Sequence, residues 1–135
     1  MKRFNVSPNS VDLTRVFVRE LGTTFADSSI QVSKGLEIVI EVEVRAAIFG
    51  KGVAYLTEIV VRDLMTHTNI SASPAGYQGH MPWGPTHDHQ FVWNIPSVDL
   101  AGRENHVCEV IAILKVGIIN PDVKFATSER FVLTD

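Results

Sequence analysis

The run from His106 to Ile119, His-Val-Cys-Glu-Val-Ile-Ala-Ile-Leu-Lys-Val-Gly-Ile-Ile, leaves this chain few choices of fold. Its residues alternate. Cys108, Val110, Ala112, Leu114, Val116 and Ile118 form one face with His106 at its start, and Glu109 and Lys115 interrupt the other. A period of two, rich in β-branched residues, predicts a long strand with one face wholly in the core. The second face is also largely apolar, which places the strand inside a sheet and not at its edge. Asn120-Pro121-Asp122 then predicts a tight turn, because proline pre-sets its first central position. Residues 123–133 return as the second arm of a hairpin.

The totals agree with a globular β protein. With 135 residues and 45% hydrophobic content, the chain can bury a core without staples. A net charge of -3 gives no basic footprint for nucleic acid. The single cysteine, Cys108, excludes an intrachain disulfide. Met1-Lys2-Arg3-Phe4-Asn5 has no apolar run after its charges, and no window reaches the ~18 apolar residues of a spanning helix. A soluble cytoplasmic protein without membrane contact is therefore expected.

Further strands are predicted at 11–21, at 36–48, at 53–64 and at 89–95. In the second of these, Leu36, Ile38, Ile40, Val42 and Val44 face inward, while Glu37, Val39, Glu41, Glu43 and Arg45 form a solvated outer face. Gly50-Lys51-Gly52 reads as a turn. Residues 71–88, with three glycines and three prolines, read as a long irregular loop. Ser97 is expected to cap a short crossover helix that Gly102 ends. The pattern predicts a single domain over 1–135, all-β, an antiparallel sandwich of about seven strands.

The last third resembles an immunoglobulin-like or fibronectin-III-like β-sandwich. A strand stopped by Pro96 is followed by a short crossover, a long strand with an early Cys108, and a hairpin to the C-terminus. His106 stands where immunoglobulin domains carry a tyrosine, the partner cysteine is missing, and Tyr55 stands roughly where the core tryptophan would be. The resemblance implies an architecture and no particular activity.

Three kinds of chemistry are conceivable. His80, His87 and His89 fall within one short stretch, and a His-x-His pair with a third imidazole from the loop is a donor set for zinc or copper. The competing reading is an exposed, hydrogen-bonded histidine cluster, so no cofactor is expected. A blue-copper site is excluded, since no histidine follows Cys108. Tyr77 and Trp83, with His87 and His89, form a possible stacking platform for a sugar or other small ligand. The reading set against that is aromatic packing over the sandwich end, with Trp93 as core. Cys108 and His106 share a strand face too far apart to act as a nucleophile and its base. No phosphate loop, nucleophile elbow or dinucleotide fingerprint occurs.

What remains is a surface. If 53–64 and 106–119 are neighbours, Leu56, Val60, Val107, Ile111 and Ile113 lie together on the outside of one sheet, ringed by Glu58, Arg62, Glu109 and Lys115. An apolar centre with a charged rim has the composition of an interface. The expected function is therefore a non-enzymatic module that binds protein or associates with itself, first of all as a dimer.

Overall fold

The computed structural model describes residues 11–44, 53–81, 88–117 and 122–135; for Val44, His80, Met81 and Asp88 only the backbone is described. The expected Gly50 and Pro121 turns, and Arg45, Ile48, Trp83, His87, Ile118 and Ile119, lie outside these residues. The fold is an all-β sandwich. Strands β1 (Val11–Glu20), β3 (Leu36–Val44) and β7 (Asp88–Ile95) form a three-stranded antiparallel sheet in the order β1-β3-β7. The second sheet has seven strands: β2 (Ser29–Gln31), β4 (Val53–Asp63), β5 (Thr68–Ile70), β6 (Tyr77–Met81), β8 (Val107–Val116), β9 (Asp122–Thr127) and β10 (Phe131–Thr134). Its main path is β2-β10-β8-β4-β5, with β6 added beside β4 and β9 beside β8.

The alternation of each long strand decides which face is buried. Ile38, Ile40, Phe91, Trp93 and Ile95 from the first sheet meet Val110, Ala112, Leu114, Phe131 and Leu133 from the second, all nearly solvent-free. β8 is the centre, as its sequence predicts, paired along its length with β4 on one side and with β9 and β10 on the other. Cys108 lies in this core, and burial pushes its thiol up to about 11, with the nearby Asp63 carboxylate adding to the effect.

Four expectations need correction. Ten strands are present among the described residues, where about seven were predicted. Stretch 123–133 is two strands: the Ser128 hydroxyl accepts from the Val110 N–H, and a side chain thus takes the place of ladder backbone where β9 ends. Part of stretch 71–88 is ordered, because β6 pairs with β4 from Tyr77 to Met81 and Ser73 bridges to Asn94. Helix α1 (Ser97–Leu100) has Pro96 at its N-cap position and no side-chain cap, so Ser97 does not cap it, while Gly102 follows with φ of 84°. At Gly35, with φ 79°, a side chain would press on backbone: a Cβ there would sit 3.2 Å from the Ile95 carbonyl oxygen.

Candidate functional site

The outer face of the seven-stranded sheet is fixed by register. Directly paired residues share a face, and β4, β8 and β9 pair in rows. Leu56, Lys115 and Val123 make one row; Glu58, Ile113 and Phe125 the next; Val60, Ile111 and Thr127 the third. Arg62 and Glu109 follow, and beyond them Val107 stands beside Val132 of β10. The five residues expected to cluster, Leu56, Val60, Val107, Ile111 and Ile113, therefore do lie on one face, each half-buried. β9 adds what periodicity alone did not give: Phe125 is 68% exposed and Val123 39% exposed on that same face. The charged groups stand around this strip, with the Arg130 guanidinium 3.9 Å from Glu109.

The aromatic side of the molecule is built differently. Tyr77 on β6 packs at right angles on Trp93, with ring centroids 5.0 Å apart, and tilts against Phe91 at 5.2 Å. Its hydroxyl donates to the Val92 carbonyl. Tyr55 meets Phe91 from the other side at 5.5 Å, and burial raises its phenol above the ordinary value, with Tyr77 adding to that. The His89 ring stands edge-on to Phe91 at 4.7 Å, and burial lowers its pKa, which favours neutral imidazole. Of the four residues read as a ligand platform, Tyr77 and His89 thus come together around Phe91, while Trp83 and His87 lie outside the described residues. Tyr77 is an interlocking group between sheets more than an open platform. Trp93 is core, and its Nε1 has no hydrogen-bond partner among the described residues.

The histidine set is not assembled by what is described. His80 is known by its backbone on β6, paired opposite Ala54, and His89 turns to Phe91. Among the described residues no group of three or more His, Cys, Asp or Glu side chains is placed to hold a metal ion.

One constellation escaped the sequence reading. Asp63, the last residue of β4, is fully buried, and its Oδ2 lies 2.6 Å from Arg103 Nη1 and 2.6 Å from His106 Nδ1. Its Oδ1 accepts from the backbone N–H of Met65 and of Thr66. Burial would raise this carboxyl. The hydrogen bonds from His106, Arg103 and the two amides outweigh that and hold it well below the usual carboxylate range. Arg103 also donates to Thr68 Oγ1 at 3.1 Å, and left-handed residues at His67 and Asn105 shape the flanking turns. The group ties the β4–β5 turn to the segment before β8. The signal was available: continuing the inward series Thr57, Ile59, Val61 puts Asp63 on the core face, where a carboxylate requires partners.

No family model and no curated protein matches this chain. Solved structures do. The C-terminal domain of wzt is 9% identical with a TM-score of 0.57, over 93% of this chain and 74% of that one. AggA, the major subunit of aggregative adherence fimbriae type I from Escherichia coli, is 8% identical with a TM-score of 0.53, over 98% of this chain and 100% of that one. At such identity the likeness shows the fold alone: an all-β sandwich. None of the described helices is long and apolar enough to cross a membrane.

Proposed function

We propose that this sandwich is a non-enzymatic binding module that acts by protein association, first of all with a second copy of itself, through the outer face of the seven-stranded sheet. The carrying observation is Phe125, 68% exposed beside half-buried Ile111, Ile113 and Val60. A soluble surface rarely leaves an aromatic ring and three aliphatic neighbours contiguous unless something covers them. Glu58, Arg62, Glu109 and Lys115 supply both signs of charge around the strip, which suits a patch meeting its own copy across a two-fold axis. One similar structure, AggA, is a fimbrial subunit, and that role supports the reading through shared fold only. The reading includes an immunoglobulin-like arrangement, supported by the order β7, α1, β8 with its early buried Cys108, then β9 and β10. It also places the module in the cytoplasm as a single domain, in keeping with one free, buried thiol.

Small-ligand or sugar binding on the aromatic side is the second reading, supported by Tyr55, Tyr77 and His89 gathered on Phe91. It ranks lower because the Tyr77 hydroxyl and ring are already engaged by Val92 and Trp93. A zinc or copper site at His80, His87 and His89 has less support still, since the one described imidazole of the three packs on a ring.

Analytical ultracentrifugation decides the leading reading. The native protein at micromolar concentration should sediment as a dimer and Ile111→Glu as a folded monomer. A monomeric native protein would end the proposal.

A further inference from the structure

A cleft of about 490 Å³ opens along the side of the sandwich where β1 faces the turn between β9 and β10. Val16, Phe17 and Val18 form one wall, Thr127 to Arg130 the other, and Asp27 with Ser28 closes one end. The size lies within the range of ligand sites. We propose that this cleft receives an extended peptide bearing an acidic side chain, which pairs as an added strand on the edge of β1.

The backbone directions carry the argument. Among the described residues β1 pairs with β3 alone, so one of its edges faces away from the sheet. The Val18 carbonyl accepts from the Asp27 N–H, which shows that Val18 turns its peptide groups outward. Val16, two residues before it in unbroken register, does the same. Among the described residues, no backbone group pairs with Val16 on that edge. The opposite wall repeats the situation. Ser128 N–H donates to the Val110 carbonyl, so Thr127 directs its own N–H and C=O away from β8. Among the described residues, a β1 edge open at Val16, beside the Val18 carbonyl that Asp27 takes, and an open β9 edge at Thr127 thus border one cleft, and an open edge is a template for another strand. On the far side of the three-stranded sheet, by contrast, Ser73 bridges both backbone groups of Asn94 and Tyr77 caps the Val92 carbonyl.

Charge selects the occupant. Arg15 and Arg130 line the cleft with side chains 55% and 72% exposed; the Arg15 guanidinium also stacks on Phe17 at 4.2 Å, and the carboxylate contacts of the two, 3.8 Å to Glu41 and 3.9 Å to Glu109, are at the long limit of an ion pair. The Asp27 carboxylate is already engaged with the Ser29 N–H. Glu129 stands at the same rim, so a ligand with one acid fits better than an acidic run. A hydroxyl or β-branched residue beside that acid would meet Thr127, Ser28 and Val16. This cleft adjoins the apolar outer face at Thr127 and Arg130, but its β1 wall lies on the other sheet, and strand addition there does not require self-association.

The test is a titration of the peptide acetyl-Thr-Val-Glu-Val-Thr-amide into isotope-labelled protein, native and Ile111→Glu, followed by amide chemical shifts and hydrogen exchange. The expected result is movement of the Val16, Val18 and Thr127 amides in both proteins, with slowed exchange at Val16. Methylating alternate peptide nitrogens should weaken binding at least about tenfold, because strand addition needs those N–H groups. Arg15→Glu with Arg130→Glu should lose the peptide and accept its Glu-to-Lys counterpart, a swap that a misfolded variant could not show. Shifts centred on Ile111, Ile113 and Phe125, no shifts at millimolar peptide, or binding indifferent to N-methylation would each overturn the proposal.

Discussion

The two outer faces of this sandwich start from the same kind of sequence and end differently. On the three-stranded sheet, Phe17, Val39 and Val92 make an apolar row, as Phe125, Ile113 and their neighbours do on the other. Yet Val39 has no exposed surface at all, although it points away from the core. The reason lies in the neighbours. The Arg15 guanidinium sits 4.2 Å from the Phe17 ring centroid and that of Arg19 at 5.9 Å, so two long side chains lie across the row from either end. Glu37 binds Arg19 and Glu41 lies 3.8 Å from Arg15, which holds both arginines down, and Gln90 joins Glu41 at 3.0 Å. The expectation of a merely solvated face there is corrected: the glutamates are struts of a roof over Val39. On the seven-stranded sheet the charges flank the apolar strip, Lys115 within the first row, Glu58 at the end of the next and the pair Arg62 and Glu109 beyond, and nothing described lies over Phe125. An apolar face closed by its own arginines is finished; one left open calls for a partner.

The largest effect should come from the joint that belongs to neither face. Asp63→Ala strands the buried ends of Arg103 and His106, and removing one member of such a group costs about 3–5 kcal/mol. Asp63→Asn adds a pH signature. The carboxyl sits lower in the folded protein than in the unfolded chain, whose value is about 3.9, so its stabilisation is complete above that value and is lost as pH falls through the acid range below it. Denaturation measured from neutral pH downward should show a constant gap between native and Asp63→Asn to about pH 4, closing below. A gap that widens as pH falls below about 4 would show that His106 and Arg103 do not stabilise the ionised form.

Next in size is a test of the roof itself. Val39→Ala removes two methyl groups of about 0.8 kcal/mol each and leaves a space under Phe17, so about 2 kcal/mol of stability should be lost. Sedimentation should not change. A loss of only a few tenths would mean that the arginines do not seal the row, and the contrast between the faces would fall.

Sequence reading reached the strands more surely than the site. Long alternating runs such as 107–116 and 36–44 declare both their period and their buried face, whereas the neighbour relation of β4 and β8 came from the sandwich architecture assumed, and the pairing agrees with it. Interactions in which a side chain replaces backbone, or a distant residue completes a group, leave no periodic trace. Ser128 breaking 123–133 into two strands is one case. Arg103 reaching Asp63 across 40 positions is another, since a polar loop residue gives no sign of its destination. The roof over Val39 belongs with these: Arg15 and Arg19 are plain charges within the strand expected at 11–21, but stacking on Phe17 depends on how three strands align.

The smallest change in fold stability should come from Phe125→Glu, and its value is in the concentration dependence. Phe125 is 68% exposed within one protomer, so replacing it removes little intramolecular packing, and surface changes of this kind stay within about 0.5 kcal/mol. If the open face is where two copies meet, association stabilises the native protein by mass action, and its melting temperature rises with protein concentration. In Phe125→Glu the carboxylate would face its own symmetry mate or a buried apolar strip, so that dependence should vanish while the dilute-limit melting temperature is nearly unchanged. Phe17→Glu on the other face should do the reverse, lowering the melting temperature at every concentration and leaving its slope as in the native protein. Equal slopes for native and Phe125→Glu would show that the open face is as self-sufficient as the roofed one.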